Sequence, residues 1–347
     1  MACLALVPYR LFASAGTEGA SFLDIPVGAG PAAMGSAYAA LATNVYAPTS
    51  NPGGLGFLKG TELAGQHLSY IQSIRYEHFG FVTPIGHDPS THRGLGASIQ
   101  DLGTGDIPRT DVLNGVPVTG LGSFSSHWSA YNLSYGQTVT DKLALGVSGK
   151  MIHAAIDDVS ASAYAVDAGS LYRWDERLSL AATVTNVGTK LKFLGEGDNL
   201  PMAVHTGATY RPNQQWLVSM EGVYPRTGMA SFHMGGQWQP IETISLRAGY
   251  KTDTLKGLNA LAGLTTGVGL QVWGQELAYA WTPYGELGSA QYLSLLIRFG
   301  APPDGRRNLI QVPSRQGPRI ARGEQQLTMA IDDRRFVQLL QETEAAQ

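Results

Sequence analysis

The sequence predicts an all-β fold, a transmembrane β-barrel, and three observations favour that class. Only 15% of the 347 residues are charged and 43 are glycine, whereas soluble domains average about 25% charged residues and about 7% glycine. The mean hydropathy is -0.05, and beyond a short N-terminal stretch no run approaches the roughly 18 apolar residues of a membrane helix. Apolar residues alternate with small or polar residues between turn signals, as in strands that present one side to lipid.

Fourteen alternating segments follow one another along the chain. Most are long enough for a tilted membrane strand of about 9–11 residues, whereas a soluble sandwich or propeller would have shorter strands and more surface charge. An even strand number places both ends of the barrel in the periplasm. We therefore predict a fourteen-stranded antiparallel transmembrane β-barrel over residues 61–300, with strands at 61–71, 74–85, 94–102, 125–138, 142–155, 161–174, 177–188, 201–211, 215–224, 229–239, 242–252, 257–271, 275–284 and 288–300.

In the clearest of these segments, the charged residues fall on the small or polar face, which we assign to the lumen. In 257–271, which carries no charged residue, Leu264, Val268 and Leu270 share the face that we assign to lipid. A lipid-facing charge near the membrane midplane costs about 2–4 kcal/mol, so a barrel requires this distribution. Short turns tend to alternate with longer connections, which we assign to the external side: 103–124, 156–160, 189–200 and 253–256.

Both ends of the chain differ from the barrel segments. Residues 1–15 hold a short apolar stretch that ends Ala13-Ser14-Ala15, the small-x-small pattern of a signal-peptidase site, and we interpret them as a signal-peptide remnant. Residues 301–347 carry 13 charged residues, against 38 in the preceding 300. We predict a charged periplasmic tail. The tail is either solvated or contains a short helix that docks on a periplasmic partner. The short helix is suggested by apolar residues near helical spacing: Leu327, Ile331, Phe336, Leu339 and Leu340.

Residues 16–60 are rich in small residues and lack the alternation of the barrel segments. Pro31 precedes a small-residue run over 32–42, which predicts a short helix. The sequence Asn51-Pro52-Gly53 is a strong turn signal. Because small residues permit close packing in a crowded lumen, we predict that 16–60 forms an N-terminal plug within the barrel.

Several motifs of this region and of the barrel resemble one known family. The opening motifs Phe22-Leu23, Met34-Gly35-Ser36-Ala37-Tyr38 and Asn51-Pro52-Gly53-Gly54-Leu55 are similar to those of PorV/PorQ-type outer-membrane proteins, as are Asp167-Ala168-Gly169 and Asn186-Val187-Gly188. That family is related to the FadL transporters of hydrophobic compounds. The resemblance implies a fourteen-stranded barrel with an N-terminal plug in the outer membrane of a Gram-negative bacterium.

The sequence contains no motif of a hydrolase, metalloprotease or phosphate-binding loop. We therefore predict no enzyme activity, no catalytic, cofactor-binding or metal-binding residues, and no cofactor. Acyl-ester hydrolysis in the lumen, which the resemblance also implies, has no supporting motif. A net charge of -3 gives no electrostatic basis for binding nucleic acid.

Two groups of residues are candidates for a functional site. The first is a polar network that either fixes the plug or orients a polar ligand in the lumen: Lys150, Asp167, Glu221, Arg247, Lys251, His205 and His233, with His153 as a further inward-facing histidine. The second is the apolar group Leu191, Phe193 and Leu194 in an external loop. This group either binds a partner or hydrophobic ligand, or packs over the barrel mouth.

Three functions fit these expectations, with outer-membrane lipids as common partners. The first is a PorV-like role in type IX-like protein secretion, in which the barrel binds secreted or translocon proteins. The second is FadL-like uptake of a hydrophobic small molecule, and the third is a structural role. A transporter needs an apolar pocket, and the strand faces predict a small and polar lumen, which favours secretion over transport.

Overall fold

The computed structural model describes residues 18–86, 91–113, 115–253 and 260–300. Fourteen antiparallel strands form a closed barrel in which each strand pairs with the next along the chain and β14 pairs with β1. The strands are β1 (Thr61–Ser69), β2 (Arg75–Ile85), β3 (Arg93–Gly103), β4 (Ser126–Thr138), β5 (Leu143–Ile156), β6 (Val159–Arg173), β7 (Leu178–Gly188), β8 (Ala203–Tyr210), β9 (Trp216–Pro225), β10 (Ser231–Ile241), β11 (Ile244–Lys251), β12 (Leu264–Val272), β13 (Gln275–Pro283) and β14 (Ser289–Phe299). The predicted strand number and antiparallel order are confirmed. The segments 1–15 and 301–347 lie outside the described residues.

Burial alternates along the strands. In β5, Leu145, Val147 and Met151 are exposed on the outer side, whereas Ser148 and Lys150 are buried on the inner side. β9, β11 and β14 show the same alternation with the predicted faces. The outer surface therefore carries the apolar belt that a lipid-facing barrel wall needs.

At one end of the barrel, which we call the short-turn end, local hydrogen bonds hold the connections. Asp175 Oδ1 accepts bonds from the backbone N–H groups of Arg177 and Leu178 at 2.7 and 2.8 Å, and these bonds hold the pKa of Asp175 below its usual value. Between β12 and β13, Trp273 and Gly274 have φ angles of 51° and 76°, as in a tight two-residue hairpin turn. Exposed aromatic side chains surround this end, as at a membrane interface: Trp174, Tyr210, Trp216, Trp238 and Trp273.

The opposite end, which we call the long-loop end, has the predicted long connection between β3 and β4 and differs from the prediction elsewhere. The segment 103–124 contains short paired strands, Ile107–Pro108 with Ser123–Phe124 and Asp111–Leu113 with Val116–Val118. The segment 156–160 is not a long loop, because β5 and β6 extend to a two-residue turn in which Asp157 has a φ angle of 57°.

The twelfth strand also begins later than predicted. Residues Ala260–Gly263 form a 3-10 turn, and β12 starts at Leu264. Residues 254–259 lie outside the described residues. The period-2 pattern of 257–271 therefore extends beyond the strand itself.

The N-terminal segment 18–58, which we call the plug, lies inside the barrel and is largely buried. It contains the helices α1 (Ala29–Ala33) and α2 (Ala47–Ser50) and the 3-10 helices Ser21–Asp24 and Pro52–Phe57. The short helix predicted for the plug is present, but it spans Ala29–Ala33 and does not continue to residue 42. Helix α1 ends before Gly35 and Ser36, whose φ angles of 62° and 64° are left-handed and incompatible with a continuing helix.

The plug backbone touches the inner wall where the wall residue is glycine. A Cβ atom on Gly136 would lie 2.5 Å from the carbonyl oxygen of Pro52, and one on Gly146 would collide with the same group. Gly235 and Gly249 likewise leave no space for a side chain beside Met34. Glycine thus permits an approach between plug and wall that any larger residue would prevent.

We predict that Gly146→Ala displaces Pro52 and lowers the free energy of unfolding by about 1–3 kcal/mol, the usual cost of overpacking. Gly149→Ala in the same strand is the matched control, because a Cβ there would have no neighbour within 4 Å. Urea unfolding of the two variants measures the difference. Equal stabilities would contradict the tight plug contact.

Candidate functional site

A cavity of about 680 Å³ occupies the lumen at the long-loop end. Plug residues that include Leu23, Ile25 and Tyr38 line one side of it. The remaining wall comes mainly from the inner faces of β8 to β11 and from the connections at 226–230 and 252–253. The plug therefore forms the base of a chamber that lies next to the external loops.

All seven residues of the predicted lumen network lie on inner faces, but they form separate groups. In the first, Lys150 Nζ forms an ion pair with Asp167 Oδ2 at 2.7 Å and donates to Asn186 Oδ1 at 2.7 Å. Asn186 in turn donates its backbone N–H to Asp167 Oδ1 and its side-chain amide to the Pro201 carbonyl, at 2.7 and 2.9 Å. Asn186 is not among the residues predicted for the lumen network, although it opens the motif Asn186-Val187-Gly188 at the end of β7 and has the left-handed φ of 59° that asparagine tolerates.

The second group fixes the plug to the wall. Glu221 Oε2 accepts hydrogen bonds from the backbone N–H groups of Tyr38 and Ala39, at 2.9 and 2.8 Å. Glu221 Oε1 pairs with His205 Nδ1 at 2.8 Å. A buried carboxylate on β9 thus holds the plug loop that forms the base of the cavity.

The third group lies beneath the cavity, on the far side of α1. Arg247 Nη2 pairs with Glu276 Oε1 at 2.6 Å, and Arg298 Nη2 contacts the other oxygen of Glu276 at 3.4 Å. Arg298 Nε also binds Glu62 Oε1 at 3.1 Å, and Glu62 Oε2 accepts the backbone N–H of Val45 in the plug at 3.0 Å. Of this group only Arg247 was predicted from the sequence, although Glu276, Arg298 and Glu62 also occupy inner-face positions.

The last two residues of the predicted network lie at the cavity rim. His233 Nε2 and Lys251 Nζ each lie 3.7 Å from Asp253 Oδ2. The expectation for His153 is wrong, because its side chain is exposed on the outer wall and its Nδ1 contacts Ser162 Oγ at 3.1 Å. His153 lies on the same face as Met151, which an alternating strand requires.

Of the apolar loop residues, Leu191 and Phe193 pack within the protein, whereas Leu194 is exposed. Leu191 is buried beside Gly19 of the plug, and Phe193 stacks edge-on against Trp128 with 6.1 Å between ring centroids. Leu194 is 95% exposed at the tip of the hairpin formed by Leu191–Phe193 and Glu196–Asp198. The hairpin therefore packs against the start of the plug, and Leu194 alone of the three projects outward.

The predicted plug turn lies against the wall. Asn51 is fully buried, and its amide donates to the carbonyl oxygens of Ala39 in the plug and Ser170 in β6, at 2.9 and 3.0 Å. Its Oδ1 accepts the backbone N–H of Gly53 at 3.0 Å. One side chain thus joins the turn, the plug loop and the barrel.

Among the described residues, no helix is long and apolar enough to cross a membrane. The same residues contain no group of three or more histidine, cysteine, aspartate or glutamate side chains placed to hold a metal ion.

Comparison with solved structures finds barrels of similar architecture. The toluene transporter TbuX of Ralstonia pickettii has a TM-score of 0.55 at 16% identity, over 82% of this chain and 99% of that chain. The toluene transporter TodX of Pseudomonas putida has a TM-score of 0.53 at 14% identity, over 78% and 96%. A FadL homologue of Pseudomonas aeruginosa has a TM-score of 0.50 at 10% identity, over 78% and 98%.

No family model matches the chain, and no curated protein matches it. At these identities the structural likeness establishes the fold. The chain has the fold of Gram-negative outer-membrane β-barrels of the FadL type, as the sequence predicts. The finer resemblance to PorV/PorQ proteins stays a prediction.

We predict that Glu221→Ala lowers the free energy of unfolding by about 3 kcal/mol, because it removes the acceptor of two buried backbone N–H groups. The exposed Glu196 in the loop hairpin provides the control, since Glu196→Ala should change the stability by less than about 0.5 kcal/mol. Chemical denaturation measures both values. A Glu221→Ala variant as stable as the control would exclude the anchoring role.

Proposed function

We propose that this protein is an outer-membrane transporter that binds a hydrophobic or amphipathic small molecule in the cavity at its long-loop end. The observation that carries the proposal is the cavity itself. Its volume of about 680 Å³ lies within the range of about 300–1,000 Å³ that is typical of small-molecule sites. Because the cavity lies beside the external loops, a solute from outside the cell reaches the cavity before it reaches the plug.

The chemistry of the cavity supports a ligand with a large apolar part. Leu23, Ile25 and Tyr38 come from the plug, and Val223 and Met229 come from β9 and the loop after it. Charged side chains lie around this surface, and many of them are already paired with one another. Apolar contact therefore provides most of the attraction for a ligand, and the polar groups orient it.

The apolar lining comes largely from the plug, which explains a difference from the sequence analysis. The strand faces alone predict a small and polar lumen, which favours secretion over transport. In the structure, the plug adds Leu23, Ile25, Val27, Pro31 and Tyr38 to the chamber. The chamber therefore has an apolar part, which supports transport, beside charged side chains such as Glu18, Asp24 and Lys251.

The similar structures support the same function. TbuX and TodX are both described as toluene transporters, and their fold is the fold of this chain. The secretion role predicted from the sequence gains no comparable support. Of the loop residues proposed to bind a partner protein, Leu191 and Phe193 pack within the chain. Secretion remains a prediction without an observation that favours it.

We predict that Ala203→Trp weakens ligand binding, because Ala203 lines the cavity from β8 and a large ring there occupies part of the chamber. Ala248→Trp is the matched control, since Ala248 is exposed on the outer face of β11. Binding of toluene and of a fatty acid to the purified full chain is measured by calorimetry, and their uptake is measured in whole cells. At least one ligand should bind the wild type and the control.

If neither ligand binds the wild type, or if Ala203→Trp binds as tightly as Ala248→Trp, the cavity is not the transport site. Recovery of secreted or outer-membrane proteins with the purified chain, together with the absence of ligand binding, would favour the secretion role instead.

A further inference from the structure

The charged side chains that line the cavity contain more acidic groups than their basic partners can neutralise. The lining holds four basic and four acidic side chains, and one of the bases pairs with a carboxylate outside the lining. Each basic side chain has an acidic partner at 2.7–3.7 Å, and the pairs are Lys150 with Asp167, His205 with Glu221, and both His233 and Lys251 with Asp253.

Two carboxyl groups of the lining remain outside these pairs, and both belong to the plug. Within the part of the chain that the structure describes, Asp24 is exposed to the cavity and its carboxyl group forms no hydrogen bond or ion pair. Glu18 accepts a backbone hydrogen bond from Thr227 and is attracted by Arg226, yet its Oε1 atom is buried without a hydrogen-bond partner.

The carboxyl groups of Glu18 and Asp24 act on the same part of the cavity. They are close enough to repel each other, and two like charges at one site favour a cation between them. The bases that attract Asp24 across the cavity are Lys150 and His205, which already have carboxylate partners of their own. The positive charge that would satisfy both plug carboxylates is therefore not supplied by these side chains.

The barrel wall adds an acceptor to the same cavity. Gln100 lies on the inner face of β3 and lines the cavity, and it is 2% exposed. Its Oε1 atom has no hydrogen-bond partner among the described residues. Because buried polar atoms nearly always have a partner, this amide oxygen indicates a donor that comes from the cavity.

The other unpartnered atoms of the lining do not reverse this excess of acceptors. They are Thr227 Oγ1 and His233 Nδ1, and a hydroxyl or a neutral imidazole nitrogen can either donate or accept. Glu18, Asp24 and Gln100, in contrast, present oxygen atoms that accept when the carboxyl groups are ionised. A ligand that fits this cavity must therefore donate hydrogen bonds.

Apolar side chains lie directly beside these acceptors. Leu23 and Ile25 flank Asp24 in the chain, and both line the cavity. Val27 of the plug and Met229 of the connection after β9 extend the apolar part. A ligand with its donor group at Asp24 can therefore place an apolar body against the plug.

Among common polar groups, a protonated amine matches these contacts most completely. An ammonium group has three donors, no acceptor and a positive charge, and its hydrogen bonds to carboxylates are stronger than those of a neutral group. A neutral hydroxyl provides a single donor. A carboxylate provides none and is repelled by Glu18 and Asp24.

We propose that the cavity binds amphipathic amines, with the ammonium group held by Asp24, Glu18 and Gln100 and the apolar body packed on the plug. This inference rests on the proposed transport function and names the chemical class of its ligand. Apolar contact still provides much of the affinity, and the three acceptors select the charge of the head group.

The test compares three ligands that share an eight-carbon chain and differ in the charge of the head group: octylamine, octanol and octanoate. The full chain is placed in phosphatidylcholine nanodiscs, and empty nanodiscs correct for partition into lipid. Calorimetry is performed at pH 8, where alkylamines are still protonated and carboxyl groups are ionised. We expect octylamine to bind about tenfold more tightly than octanol or better, and octanoate to bind more weakly than octanol.

A charge-removing variant assigns this preference to the plug. Asp24→Asn keeps the shape of the side chain, so we expect it to lower the affinity for octylamine by about tenfold and to leave the affinity for octanol unchanged. Glu176→Gln is the matched control, because it removes the same charge from an exposed residue at the short-turn end. Its affinities should equal those of the wild type.

The outcomes separate this inference from the proposed function. If octanol binds and octylamine binds no more tightly, the amine preference is wrong and the cavity remains a site for apolar ligands. If Asp24→Asn and Glu176→Gln bind octylamine equally well, the plug carboxylate does not hold the head group and the inference is overturned. If none of the three ligands binds, the inference and the proposed function both fail.

Discussion

The structure depends on close contact between the plug backbone and glycine residues on the inner wall. At Gly136, Gly146, Gly235 and Gly249, a single Cβ atom would already meet plug backbone. The high glycine content of the chain is therefore partly a packing requirement. Buried hydrogen bonds also fix the position of the plug, since Asn51 and Glu221 each bind plug backbone groups that would otherwise be buried without partners.

The same contact determines where a solute can bind. Because the plug packs against the wall beneath the cavity, the available volume lies at the long-loop end. The plug also provides much of the apolar lining of that cavity, so in the proposed transporter it is both the barrier and part of the binding surface. Passage through the barrel then requires a change in the plug, and the bonds of Glu221 to Tyr38 and Ala39 are the interactions that such a change would break.

Much of the fold follows from the sequence, because a strand with one lipid-facing side must alternate apolar residues with small or polar residues. The fourteen strands and the inner-face position of Lys150 or Arg247 come from that period alone. The plug has no such period, so its broken helix at Gly35 and the apolar lining from Leu23 and Ile25 were not predictable. The outer-face position of His153 follows from its register with Met151, two residues earlier in the same strand, and contradicts the predicted inward position. The partners of Arg247 were not predictable, because they depend on contacts between distant strands.

From these contacts we infer that the plug closes the lumen beneath the cavity. Ion conductance of the full chain in a planar lipid bilayer measures this closure most directly. We expect an electrically silent barrel under applied voltage, and a steady ohmic current typical of an open pore would contradict the closure.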